Sequence, residues 1–506
     1  MRIPSTSRIL VVERRVESII NPKLDAVFAL WPLLTALAGV CISLLASGHA
    51  VLYKRDSRAA VAWVGLIWLV PFLGSLLYML LGINRIRRKV AGRRGHESVH
   101  FSSFDRYSCS MQDLAGHLPA GCEDLGEMAK LCESLTRLPL MGGNSVDALF
   151  DGDEAYPAML GAIDTATSSI NLVVFIFDND AVGKRFLDAL SRAVARGVDV
   201  RVLIDGVGSH YSRPTITALL RQAGVRTELF MASLWPWRTP YLNLRNHRKV
   251  MVLDGMTGFT GGVNIRAGHL LADNPLFPTR DIQFRVMGPV VQQLQAAFVS
   301  DWLFTSGELL EGEQWFPPCR SAVGTVMARV ISDGPDQDMD KMSMAFQGAL
   351  AAARHKVLIL TPYFLPDRAL IAALNICALR GVEVDIVLPQ VNNLKMVAWA
   401  SMAQMWQVLE WGCRVWMSAP PFDHSKIMVI DGALSLIGSS NWDPRSLRLN
   451  FELGVECYEQ KLAQQLELRI RQSMATAHRL TLAEVDARPL PVKLRDGLIR
   501  LAAPYL

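Results

Sequence analysis

Two short strings in this chain carry residues able to do phosphoryl chemistry. The first is His247-Arg-Lys249-Val-Met-Val-Leu-Asp254-Gly255, followed by Gly261-Gly262-Val263-Asn264. The second is His424-Ser-Lys426-Ile-Met-Val-Ile-Asp431-Gly432, followed by Gly438-Ser439-Ser440-Asn441. In an extended strand, residues i and i+2 share a face, so His and Lys point the same way in each copy. The apolar residues after Lys belong in a core, and Asp-Gly signals a two-residue hairpin turn. A returning strand then brings Gly and Asn back beside His and Lys.

Each copy is thus a half-site with an imidazole, an ammonium and an amide. Two such halves about a pseudo-twofold axis give one site with two His, two Lys and two Asn, a set suited to a phosphodiester. Lysines and asparagines can hold the non-bridging oxygens as charge builds in the transition state. One imidazole can attack phosphorus and form a phosphohistidine. The other can protonate the departing alcohol and deprotonate the incoming one. No metal is required, and no zinc-type His/Cys spacing occurs near either copy. A single His-x-Lys on a strand is usually surface decoration, and Asp before Gly is usually turn chemistry. Two copies with matching Gly/Asn tails are not explained that way.

The elements around the strings repeat as well. An apolar run at Ile170–Phe177 and another at Val357–Leu360 each lead into an amphipathic helix ending in Arg-Gly-Val, at Arg196-Gly197-Val198 and Arg380-Gly381-Val382. Each helix feeds another β-branched run, Val200–Ile204 or Val384–Leu388. The glycine suits a helix C-cap, and the uninterrupted apolar runs suit strands buried on both faces. Strand–helix–strand order predicts a parallel or mixed sheet covered by helices. The Arg-Gly-Val landmarks lie 184 positions apart and the histidines 177, a near-constant offset that marks an internal duplication.

With 506 residues, 51% of them hydrophobic, and a mean hydropathy of +0.22, the chain calls for membrane segments as well as two core-bearing halves. Ala26–Gly48 and Ala59–Gly82 are uncharged and long enough to predict two transmembrane helices, Pro71 being tolerable inside the second. Trp31, Tyr53, Trp63 and Tyr78 fall where an interfacial belt would place them. Basic residues cluster before the first run and after the second, which places both flanks and the catalytic halves in the cytoplasm. The net charge of +5 does not by itself indicate nucleic acid as partner, and membrane tethering with the lack of basic tracts interleaved with aromatics argues against it. The eight cysteines are scattered and read as buried thiols, not as disulfides or metal ligands.

The second string, with its continuation Asn441-Trp-Asp-Pro-Arg-Ser and Leu449-Asn-Phe-Glu-Leu453, resembles the phospholipase D superfamily and, within it, bacterial cardiolipin synthases. The resemblance extends to the paired N-terminal runs, to Gly142–Asp153 and to the segment from Arg488. It implies an α/β chain of two duplicated phospholipase D-like α/β/α sandwich domains preceded by two transmembrane helices. The expected division is a cytoplasmic segment 1–25, helices 26–82, a linker 83–141, a first domain 142–318, and a second domain 319–506 with an amphipathic tail. The implied activity moves a phosphatidyl group between two phosphatidylglycerols with release of glycerol, at a bacterial inner membrane and without a cofactor. A hydrolase or another phosphatidyltransferase of the same superfamily is the alternative. No oligomeric state is read from the chain.

By the same resemblance, His247, Lys249 and Asp254 with His424, Lys426 and Asp431 form the catalytic set, and Asn264, Ser439 and Asn441 contact substrate. His247 takes the nucleophile's role. Glu452 orients a catalytic imidazole, and Asp281 is its counterpart for the first copy. Gly262 departs from the pattern, since many members of the superfamily have Ser there. Trp235 and Trp237, beside Arg238, are candidates for a loop that dips into the headgroup layer.

Overall fold

The computed structural model describes residues 22–54, 57–82, 104–231, 244–319, 321–335 and 338–503. The chain divides into two compact units, Met1–Arg85 and Ile86–Leu506.

In the N-terminal unit, Pro22–Tyr53 is one helix of 32 residues, about 48 Å long at 1.5 Å per residue. Its portion Leu30–Tyr53 is apolar enough to cross a membrane. The second predicted span is not a single helix, and this corrects the expectation of two. The chain is helical over Ser57–Leu69, breaks at Val70 (φ −138°, ψ 79°), and resumes at Pro71–Leu77 with a π-helical turn, Tyr78–Gly82. The cause is local: the proline ring clashes with a helical conformation at the residue before it. The bend is sharp. A Cβ on Gly74 would lie 2.5 Å from the carbonyl oxygen of Leu66, whereas eight residues along a straight helix span about 12 Å. Tyr78 is buried within the unit; its ring packs edge-on to Trp63 and its hydroxyl meets His49 Nδ1 at 2.8 Å.

The second unit is built on a 16-stranded mixed sheet. Met141–Phe150 and Val326–Asp333 lie at its centre, paired antiparallel, and each begins one repeat. Outward from this pair the halves correspond strand for strand, except that the second adds His478–Leu480 at its edge. In the first, Ser169–Val174 runs parallel to Asp199–Asp205 and antiparallel to Val250–Leu253. In the second, Lys356–Leu360 runs parallel to Glu383–Pro389 and antiparallel to Ile427–Ile430. Every residue of Val250–Leu253 and Ile427–Ile430 is buried, as expected of strands covered by helices on both faces.

The helices Val291–Ser306 and Gln460–Ala475 close one face of the sheet over a single apolar layer. That layer takes Val173, Phe284, Phe298 and Trp302 from the first repeat, and Leu360, Leu453, Leu466 and Ile470 from the second. The opposite face carries a separate core for each repeat. The second of these also receives Leu125, Met128, Ala129 and Cys132 from the helix Leu125–Thr136, which precedes the first repeat in sequence. Seven of the eight cysteines are buried or half-buried, and all are free thiols.

Candidate active site

The two histidines are held by strands only two residues long. Arg245–Asn246, just before His247, pairs parallel with Asn450–Phe451 of the second repeat. Phe422–Asp423, just before His424, pairs parallel with Thr279–Arg280 of the first. The His247 N–H donates to the Phe451 carbonyl at 2.9 Å, and the His424 N–H donates to the Arg280 carbonyl at 2.8 Å. The start of each motif therefore docks on the other repeat, while the strand that follows stays in its own.

One residue beyond each acceptor carbonyl stands a carboxylate. His247 Nδ1 lies 3.0 and 3.1 Å from the two carboxylate oxygens of Glu452, and His424 Nδ1 lies 2.7 Å from Asp281 Oδ2. The pairing is crossed. Sequence reading gave Asp281 to the first copy, but it holds the histidine of the second, while Glu452 holds that of the first. The reason is the strand exchange just described, which no local spacing encodes.

A carboxylate can only accept, so each imidazole carries its proton on Nδ1 and turns a bare Nε2 to the open side. The ring centroids are 6.5 Å apart with planes at 82°. Each histidine side chain keeps 11% of its surface accessible, whereas the two carboxylates keep none, so the imidazoles meet a ligand and their partners do not.

Both lysines reach the same place by equivalent routes. Lys249 Nζ donates to the carbonyl of His247 at 2.7 Å, and Lys426 Nζ to the carbonyl of His424. Burial is the main influence on every titratable group here. It brings Lys249 down to about 7 and Lys426 down to about 8. It also lowers both histidines: for His247 against the pull of Glu452, and for His424 further, with Lys426 and Lys249 adding to the effect. Burial raises Asp281 to about 6 despite Lys426 nearby. Glu452 suffers the same burial, but His247, Lys249 and the Ser439 hydroxyl outweigh it and leave its carboxyl below the usual range. The resting site thus holds two neutral imidazoles and ammoniums that titrate near neutrality.

Other expected members take different places. Asp254 and Asp431 are not beside the histidines. Each sits at the far end of its strand with φ near +50°, at the hairpin turn. Five residues of strand put each about 17 Å from its lysine. Asp254 accepts the backbone N–H groups of Thr167, Ser168 and Ser169; Asp431 accepts those of Arg354, His355 and Lys356. Both carboxylates thus tie the hairpin to the start of the neighbouring strand. Ser439 donates to Glu452 Oε2 at 2.5 Å, so its hydroxyl serves the carboxylate, not a substrate oxygen. Asn264 Oδ1 accepts from Ile176 N–H at 3.1 Å, which leaves the amide NH2 as the group it can offer an anion. Asn441 Nδ2 donates to Ser446 Oγ at 3.0 Å. The loss of a hydroxyl at Gly262 has a steric origin: a Cβ there would lie 2.1 Å from Asp281 Oδ1. The first half-site gives up the serine because the shorter carboxylate occupies its space. Trp235 and Trp237 lie outside the described residues.

Sequence reading missed Arg248, which stands between His247 and Lys249 and is almost fully buried. Its guanidinium binds Asp301 Oδ1 at 2.7 Å, the Glu452 carbonyl at 3.0 Å and Ser332 Oγ at 2.5 Å. It thereby joins the first motif to two strands of the second repeat. It also missed the aromatic walls: Phe175 lies 5.0 Å from the His247 ring, and Tyr363 and Phe422 lie 6.1 and 5.9 Å from the His424 ring. An arginine at the middle position of only one copy was the sole hint of the first.

A duplicated α/β sheet with two crossed His–carboxylate pairs and two buried lysines between its halves defines a phospholipase D-like protein. A family model described as "Cardiolipin synthase, PLD-like domain" matches residues 159–302 and 347–474, and one described as "Phospholipase_D-nuclease N-terminal" matches residues 41–82. Cardiolipin synthase A of Pseudomonas fluorescens (strain SBW25) is 32% identical over 466 residues, covering 91% of this chain and 96% of that protein. The major cardiolipin synthase of Bacillus subtilis (strain 168) is 31% identical over 468 residues, covering 90% and 95%. The crystal structure of phosphatidylserine synthase from Haemophilus influenzae Rd KW20 has the same fold, with a TM-score of 0.58 at 16% identity, over 75% of this chain and all of that one. The chain belongs to the cardiolipin synthase family of phospholipase D-like proteins.

Proposed function

We propose that the chain is a membrane-bound phosphatidyltransferase that makes cardiolipin from two molecules of phosphatidylglycerol and releases glycerol. The observation that carries the reading is the pair of imidazoles 6.5 Å apart, each with Nδ1 bound to a carboxylate and Nε2 left for substrate. His247 Nε2 attacks phosphorus as the bond to the glycerol headgroup breaks, giving a phosphatidyl-histidine. His424 gives its proton to the departing glycerol oxygen; the entering anionic phosphodiester and the Asp281 carboxylate favour the charged imidazole this step needs. A hydroxyl of the second phosphatidylglycerol then loses its proton to His424 and attacks phosphorus, freeing His247. Lys249, Lys426 and the amide of Asn264 hold the non-bridging oxygens throughout.

The N-terminal apolar helix supports a membrane location, and the basic clusters flanking the apolar region support a cytoplasmic catalytic body. The test is product analysis. Purified protein given phosphatidylglycerol alone should yield cardiolipin and glycerol in equal amounts; phosphatidic acid as the main product would replace transfer with hydrolysis.

A further inference from the structure

We propose that two exposed apolar edges beside His424 enter the surface of an anionic lipid bilayer and seat the mouth of the site on it. The inference rests on the reading of phospholipid as substrate. The first edge is Leu276–Phe277, held between Pro275 and Pro278. These side chains are 85% and 73% exposed, high values for adjacent large apolar residues. Three residues on, Arg280 pairs with Asp423 and accepts the His424 N–H, and Asp281 binds the His424 ring. Three residues extend at most about 10 Å, so the Leu-Phe tip is a short reach from the imidazole. It is also fixed, because Thr279 Oγ1 donates to the Phe277 carbonyl at 3.2 Å and the Thr279 carbonyl meets His269 Nδ1 at 3.1 Å.

The second edge is the helix Leu490–Arg500. Leu490, Leu494, Leu498 and the following Leu501 are exposed, and their spacing of four, four and three sets them in one stripe. The opposite face is committed to the body. Asp496 is buried between Arg488 and Arg495, each at 2.7 Å, and Ile499 packs against the cluster Leu365, Val397 and Ala400. Tyr363, whose ring flanks His424, packs against the same cluster, so the cluster links this edge to the site.

The occupant follows from chemistry and position. Lys493 and Arg500 flank the leucine stripe, and exposed Lys395 stands between exposed Leu394 and Met396 on the segment against which the helix packs. Apolar side chains bordered by cations suit the interface of an anionic bilayer. Phosphatidylglycerol is itself anionic, so surface and substrate make the same demand. A second protein seated on both edges would obstruct the mouth they border.

The test uses the full chain reconstituted in phosphatidylglycerol/phosphatidylcholine vesicles. An environment-sensitive dye is placed at Phe277→Cys, Leu498→Cys and, as control, Ile376→Cys, an exposed site at the other end of the strands. Dye at 277 and 498 should shift to the blue and be quenched by lipids carrying a nitroxide near the headgroup, with no change at 376. Leu276→Ser/Phe277→Ser should lower turnover of vesicle phosphatidylglycerol about tenfold or more. It should leave turnover of a short-chain phosphatidylglycerol, dispersed as monomers, unchanged, which also shows that the variant is folded. Dye at 277 and 498 that responds no more than at 376 overturns the proposal. So does a blue shift without nitroxide quenching, which indicates a second copy on these edges. Failure of the function itself reads differently: wild-type protein would then form no cardiolipin from either substrate, whatever the dye reports.

Discussion

Glu452 of the second repeat holds His247 of the first through both carboxylate oxygens, at 3.0 and 3.1 Å from Nδ1. Asp281 returns the arrangement at His424, with one oxygen at 2.7 Å. The two are not equivalent. Glu452 also receives Ser439 Oγ and Asn450 Nδ2, at 2.5 and 3.0 Å, and stays ionised, whereas Asp281 has the backbone N–H of Ile282 and titrates near 6.

The difference assigns roles that substitution can separate. His247→Ala should abolish turnover and leave no trappable phosphatidyl-histidine. Glu452→Gln should slow formation of the adduct about 10- to 100-fold, the loss expected for one hydrogen bond to a charged partner. Rapid-quench trapping measures both. An adduct that persists in His247→Ala and vanishes in His424→Ala would exchange the two roles.

The pH profile of kcat/KM should be bell-shaped. Asp281 must be ionised to hold His424, so the rate should rise as pH passes about 6. Lys249 and Lys426 must be protonated to bind the phosphodiester, so it should fall as pH passes about 7 to 8. Asp281→Asn should remove the acid limb and keep the alkaline one. A limb that stays at 6 in this variant belongs to another group.

Gly262→Ser, which restores the residue common in the superfamily, should impair this enzyme. Its Cβ takes the space of the Asp281 carboxylate. Activity should fall by more than tenfold, with the thermal midpoint lowered by a few degrees, and Gly262→Ala should behave alike because the Cβ is the cause. A fully active serine variant would mean that Asp281 has room to move.

Asp254→Asn and Asp431→Asn should act on stability before chemistry. Each weakens acceptance of three backbone N–H groups and should cost about 1–3 kcal/mol. The activity of the folded fraction should stay within a few-fold of wild type, which thermal unfolding read beside initial rates would check. Arg248→Met should be more severe, about 3–5 kcal/mol, because Asp301 loses its buried guanidinium partner.

The repeat and its chemistry were legible because they rest on local rules. Period-two spacing aligned His with Lys, β-branched runs marked buried strands, and a constant offset marked the duplication. The crossing of the carboxylates was not, since it depends on two-residue strands pairing across 143 and 205 residues. The aspartates misled for a related reason: a hairpin turn and a catalytic carboxylate look alike until the N–H groups that donate to them are seen. At the N-terminus an uncharged stretch counted as a span, but the backbone of Val70 answers to Pro71, and that decides the element.

The apolar layer beneath Val291–Ser306 and Gln460–Ala475 draws side chains from both repeats. Neither repeat can expose its share without opening the other's, so the catalytic body should melt in one cooperative step despite its duplicated origin. A fragment cut between Pro317 and Val326 would gain no autonomy. It would carry half an apolar layer to water, along with a histidine whose carboxylate had left with the other piece.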